Sequence, residues 1–81
     1  MIVRIRLFAR ARDLAGSTAL KVEVPDGATV GELRAELGRV CPVLHELLPR
    51  CALAVNEEFA ENETCLPSSA DVALIPPVSG G

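Results

Sequence analysis

The sequence predicts an α+β domain whose sheet is covered on one face by a single long helix and left open on the other. Three observations carry that reading. Two early segments alternate apolar and polar residues: Val3, Ile5 and Leu7 around Arg4 and Arg6, then Leu20, Val22 and Val24 around Lys21 and Glu23. A period of two is that of half-buried strands. A capped amphipathic stretch follows, and two later apolar runs, Cys51 to Val55 and Asp71 to Ile75, read as further strands. A helix lying between the second and third strands has one face to bury and a sheet to bury it on.

Met1 to Phe8 is the first strand. Ala9 to Ala15 is rich in helix formers and Gly16 stands where a C-terminal cap glycine belongs, so one or two helical turns are expected there. The second strand stops at Pro25-Asp26-Gly27, a turn signature. Thr29-Val30-Gly31-Glu32 has the form of a capping box, in which hydroxyl and carboxylate exchange hydrogen bonds with each other's backbone. Val30, Leu33, Leu37 and Val40 then recur at helical spacing, with Glu32, Arg34, Glu36 and Arg39 mostly outward. Gly31 and Gly38 weaken that helix by about 1 kcal/mol each against Ala, so its apolar stripe must pack on the sheet to hold. Pro42 ends the helix near Cys41.

Pro42 to Pro49, with Leu44, Leu47 and Leu48, predicts a short helical turn closing one end of the core. The third strand enters a turn at Asn56-Glu57-Glu58, and Phe59 begins a short returning strand. Glu61 to Ala70 reads as a polar loop lightly anchored by Leu66. In the last strand Val72 and Leu74 share one face, with Asp71, Ala73 and Ile75 on the other. Ile75 is then either an exposed apolar anchor or packed under a loop.

Composition narrows the function. At 81 residues the chain is one domain, taken as residues 1–75 followed by an extended tail, 76–81. Leu, Ile, Val and Phe number 25, enough for a core, and with only Phe8 and Phe59 as aromatic residues that core must be aliphatic. A net charge of −3 and two aromatics argue against nucleic acid as a partner. Charge is uneven, with Arg4, Arg6, Arg10 and Arg12 early and Glu57, Glu58, Glu61 and Glu63 late; solvated faces and docking patches both account for it. Cys41, Cys51 and Cys65 are odd in number and lack CxxC spacing, as expected of reduced thiols in a cytoplasmic protein, each a small buried hydrophobe. A sulfur-relay role for one of them is the competing reading. His45 is the single histidine, which excludes a multi-histidine metal site. No apolar run approaches the roughly 20 residues of a membrane span, and no nucleophile–base pair, phosphate loop or metal cluster is present.

The tail concentrates what chemistry remains. Pro76 and Pro77 cannot donate ladder hydrogen bonds, so they stop the last strand and stiffen the exit. Val78, Ser79, Gly80 and Gly81 follow, and six extended residues reach at most roughly 20 Å. Two terminal glycines make a slim end able to enter a narrow crevice, with the Gly81 α-carboxylate as the reactive group. A frayed terminus has a similar composition; the strand running into Pro-Pro and then Gly-Gly favours the functional reading.

Phe8 to Gly16, then Val55-Asn56-Glu57-Glu58, and finally Ile75 to Gly81 together make the chain resemble the small, sulfur-carrying subunits of molybdopterin synthase, over essentially its whole length. Ser69-Ala70-Asp71 departs from the Gly-Asp-Glu such carriers often have there, which puts the geometry of that turn in question, and Asp13 stands where Glu is common. The resemblance implies a mixed, ubiquitin-like β-grasp sheet. It also implies a protein that is no enzyme on its own and holds no permanent cofactor. An adenylating enzyme uses ATP to activate Gly81, a sulfur donor converts it to a thiocarboxylate, and the tail enters the large catalytic subunit to build the molybdopterin dithiolene. Gly81 bears the sulfur; Pro76, Pro77, Val78, Ser79 and Gly80 thread the crevice; Phe8 and Ile75 are the expected partner contacts. Sulfur carriage for thiamine synthesis or tRNA thiolation, protein conjugation through Gly81, and an interaction module with an idle tail are the competing readings.

Overall fold

The computed structural model describes residues 1–77; Val78, Ser79, Gly80 and Gly81 lie outside the described residues. Its elements are β1 (Ile2–Leu7), α1 (Ala9–Ala15), β2 (Ala19–Glu23), α2 (Val30–Val40), two 3-10 turns (Pro42–Leu44 and Leu48–Arg50), β3 (Ala52–Val55), β4 (Glu58–Ala60) and β5 (Val72–Ile75). The five strands form one sheet in the order β2-β1-β5-β3-β4. Only β1 and β5 run parallel; the other neighbours are antiparallel, so the sheet is mixed as expected. This is the ubiquitin-like β-grasp architecture.

Strand registers sort the side chains onto two faces. Val3, Ile5 and Leu7 of β1, Val22 of β2, Val72 and Leu74 of β5, and Leu53 and Val55 of β3 all point to one side and are buried. Val30, Leu33 and Leu37 of α2 cover them, and Leu44 and Leu48 of the 3-10 turns, with Leu47 between the turns, close the end. The core is aliphatic: Phe8 and Phe59 are both exposed. The capping box is made as expected, with the Glu32 N–H donating to Thr29 Oγ1 at 3.1 Å and the Thr29 N–H donating to Glu32 Oε1 at 2.9 Å. Gly16 caps α1 at φ 70°, its N–H donating to the Arg12 carbonyl.

Several expectations need correction. Val40 is exposed, because the helix face at its C-terminal end turns Gly38 inward; a Cβ there would lie 3.1 Å from Leu48 Cδ1. Gly38 and Gly31 are therefore points of close approach. At Gly31 the neighbour is Asn62, whose carbonyl accepts the Gly31 N–H at 2.9 Å. Arg34 is a half-buried clasp, donating from Nη1 to the carbonyls of Leu48 (2.6 Å) and Cys51 (2.8 Å) and from Nε to Asn62 Oδ1 (3.2 Å). The 61–70 segment is correspondingly well tied: Val30 N–H donates to Thr64 O, Leu66 N–H to Ala28 O, and Leu66 is buried. The last strand starts at Val72, leaving Asp71 in the preceding turn. Of the three cysteines only Cys51 is buried; Cys41 is half-buried and Cys65 exposed.

Candidate functional site

The tail-bearing strand β5 is the middle strand of the sheet. Its residues pair on one side with β1, Leu74 beside Leu7, and on the other with β3, Ile75 beside Ala52. Carrying the β1 register one residue on places Phe8 next to Ile75. The chain thus leaves the sheet between the start of α1 and the start of β3. Pro76 is still buried against the body and Pro77 is exposed. Ala9, immediately after Phe8, adopts φ 50°, a left-handed conformation that L-residues other than Gly, Asn and Asp seldom take. It swings the backbone from β1 into α1 and leaves the Phe8 ring at the exit.

The uncovered face of the sheet adjoins this exit. Arg4 and Arg6 of β1, Ala73 and Ile75 of β5, Ala52 and Ala54 of β3 and Phe59 of β4 point outward in register, with Ala19 and Lys21 on β2. One rung reads Ala19, Arg6, Ala73, Ala54, Phe59. At the centre Ala73 and Ala54 are small enough to be buried between their neighbours, Ala52 is half-buried, and Phe59, 76% exposed, stands at the border. The exposed apolar side chains of this face are Phe59, Ile2 and Phe8, the kind of residues that mark an interaction site.

Both expected partner contacts lie at the tail exit, but their roles separate. Phe8 is exposed, with the Arg6 guanidinium 5.7 Å from its ring centroid. Ile75 is half-buried, not an exposed anchor, because β5 is flanked by a strand on each side. Phe59 and Ile2, both more exposed than Phe8, were not singled out from the sequence. Strand alternation placed Phe59 on a short returning strand but could not say that its face was uncovered. Gly81, Gly80, Ser79 and Val78 lie outside the described residues.

Asn56 explains why the Val55-Asn56-Glu57-Glu58 segment matters. Asn56 and Glu57 at φ 51° and 71° make the two-residue turn joining β3 to β4. The Asn56 N–H donates to Asp71 O at 2.8 Å, and its Oδ1 accepts the Asp71 N–H at 2.9 Å. One side chain thereby fixes where β5 begins. The neighbouring Ser69 takes φ 60°, so the turn in question keeps a glycine-like conformation despite lacking glycine.

The buried cysteine is poorly suited to relay sulfur. Burial pushes the Cys51 thiol up, partly offset by the Arg34 charge, and Sγ donates to the Leu47 carbonyl at 3.4 Å. A thiol held protonated is a weak nucleophile. Among the described residues no helix is long and apolar enough to cross a membrane, and no three His, Cys, Asp or Glu side chains converge as a metal would require.

Residues 5–81 match the ThiS family. The chain belongs to that family. The molybdopterin synthase sulfur carrier subunit of Arabidopsis thaliana is 37% identical over 79 residues, covering 98% of this chain and 82% of the plant protein. SAMP1 of Haloferax volcanii, small archaeal modifier protein 1, superposes with a TM-score of 0.88 at 29% identity over the full length of both chains. The complex of subunits 1 and 2 of the Helicobacter pylori molybdopterin-converting factor contains a chain matching with a TM-score of 0.70 and 30% identity, again over both full lengths.

Proposed function

We propose that this chain is the sulfur-carrying subunit of a molybdopterin synthase, a protein cosubstrate whose reactive group is the Gly81 carboxylate. The observation that supports it most is the placement of β5. The strand bearing the tail is the central one, and its end opens beside the uncovered sheet face, flanked by the exposed Phe8 and Phe59. A partner seated on that face receives the tail at a fixed place. The sulfur-carrier relatives and the two-subunit complex favour this pathway.

A carboxylate is a poor electrophile, so the cycle begins with activation by an adenylating partner. A Gly81 carboxylate oxygen attacks the α-phosphorus of ATP and pyrophosphate leaves, giving the acyl-adenylate. Hydrosulfide released by a sulfur donor then attacks the acyl carbon and AMP departs, leaving the thiocarboxylate. In the large synthase subunit the terminal sulfur attacks the pyranopterin precursor, water then cleaves the acyl–sulfur bond and restores the Gly81 carboxylate, and two such transfers complete the dithiolene. Proton transfer and precursor binding fall to the large subunit. This chain supplies the tail, the slim Gly80-Gly81 end and the docking face.

Incubating the chain with an adenylating enzyme that turns over its own carrier, ATP and a sulfur source should add the mass of one oxygen-to-sulfur exchange at Gly81. No gain would refute every carrier reading. The similarity to small archaeal modifier protein 1 favours a second use of the same end, isopeptide linkage to lysine. An adduct of the chain on other proteins, dependent on ATP and lost on deleting Gly81, would identify it.

A further inference from the structure

We infer that a hollow lined by Arg4, Arg6, Arg12 and Phe8 on the uncovered sheet face takes a carboxylate side chain of the protein that receives the tail. This rests on the carrier reading above and adds the charge that the partner must bring. The hollow measures about 250 Å³, and Leu7 and Thr18 complete its lining. Arg6 forms one wall and is held from two sides. Its Nε and Nη2 donate to Asp71 at 3.1 and 2.9 Å, and its guanidinium lies against the Phe8 ring. That bidentate pair accounts for the charge of Arg6.

Arg4 and Arg12 are not neutralised in the same way. Arg12 Nε lies 3.9 Å from Asp13 Oδ1, a long contact between two exposed side chains, and such pairs contribute little. Arg4 has no carboxylate within ion-pair distance among the described residues, and across the strand it faces Lys21, a like charge. Like charges directly opposite on a sheet destabilise it. The hollow therefore keeps excess positive charge in a chain whose net charge is −3.

Two features favour a protein carboxylate over a small anion. The hollow is lined by Phe8, which continues β1 beside Ile75 of the tail-bearing strand, and arginine beside aromatic residues is the composition of protein interfaces. The opposite border carries acid at Glu57 in the β3–β4 turn and Glu61 just after β4, both exposed, while Glu58 pairs with Val55 and so belongs to the covered side. Across the strand order Lys21, Arg4 and Arg6 lie on β2 and β1, with Glu23 beside Ile2 at their far end, and Glu57 and Glu61 lie at the β4 border. A partner bringing carboxylates can seat on it one way round, because the reverse places its acids over those glutamates. Charge patterns of this kind set orientation and association rate. Orientation matters because the tail leaves at one end of β5.

The test compares wild type with Arg4→Glu/Arg12→Glu by stopped-flow binding to the large synthase subunit at low and raised salt. The expected result is about tenfold weaker binding, mostly from slower association, and a shallower salt dependence. Both side chains are exposed, so the unfolding midpoint should hold, and Arg4→Lys/Arg12→Lys should retain most of the affinity. If the wild type binds and the Glu variant binds within about twofold of it with the same salt dependence, the hollow is not a docking element. Saturable binding of ATP or AMP to the isolated wild-type chain, lost in the Glu variant, would make it a nucleotide site and overturn the inference. Absence of any wild-type complex would overturn the synthase reading and this inference together.

Discussion

Gly31→Ala should destabilise the fold even though alanine is the better helix former. The substitution replaces the second residue of α2, where about 0.8–1 kcal/mol of intrinsic propensity is the most that alanine can return. Against it stands Asn62. An added Cβ would lie 3.2 Å from Asn62 Cβ and 3.3 Å from its carbonyl oxygen, closer than ordinary van der Waals contact. Asn62 cannot retreat freely. Its carbonyl accepts the Gly31 N–H and its side chain accepts from Arg34, which is bound in turn to the carbonyls of Leu48 and Cys51. Overpacking of this kind costs about 1–3 kcal/mol, and moving the loop forfeits a hydrogen bond worth about 1 kcal/mol. The net expectation is a loss of about 1–2 kcal/mol after the propensity gain is deducted. Urea titration should show a lower midpoint with unchanged slope, and thermal melting a fall of roughly 4–15 °C. Gly38→Ala is the internal contrast. There the nearest atom is the mobile end of Leu48, 3.1 Å away, and the change should be smaller. If Gly31→Ala proves as stable as the wild type, the loop is not held as tightly as this network requires.

Ser69→Gly should stabilise the chain by about 0.5–1 kcal/mol, the relief of a left-handed serine at φ 60° less the extra chain entropy of glycine; an unchanged or lower melting temperature would contradict the strain. Inserting one residue between Val78 and Ser79 preserves Gly80-Gly81 and the body but displaces the carboxylate by up to about 3.5 Å. Adenylation or sulfur transfer should then fall by about a hundredfold or more, with binding of the large subunit little changed. Full activity in that variant would mean that the tail is a loose tether.

Where local chemistry decided the structure, the sequence was legible. The two alternating segments, the Thr29–Glu32 capping box, the Gly16 cap and the turn at Asn56 each depend on residues within a few positions of one another, and each forms as expected. What sequence could not show is who sits beside whom. Gly31 and Gly38 look like helix defects until Asn62 and Leu48 are seen against them. Arg34 sits at an outward helix position yet reaches two carbonyls more than a dozen residues away. Ile75 lies on the uncovered face, as its alternation implies, but strand order puts it in the middle of the sheet and so half-buries it. Alternation along β1 and the left-handed turn at Ala9 into α1 gather Arg4, Arg6 and Arg12 around Phe8, which in the sequence was only a run of early arginines.

The position of the last strand bears on the function most directly. A reactive group on a chain terminus is only as well placed as the element that holds it, and an edge strand would leave the tail on a segment prone to fray. β5 instead has hydrogen-bonded neighbours on both sides, and Val72 and Leu74 are fully buried. Each such side chain contributes about 1.5–3 kcal/mol. Pro76 extends the buried root by one residue, so only Val78 to Gly81 lie beyond the exposed Pro77. Four residues span at most about 14 Å. On the carrier reading, a partner docked on the uncovered face would meet the Gly81 carboxylate within that reach of Pro77. On the same reading, a domain that buries no polar or charged residue among those described would supply the reactant while the partner supplies the chemistry.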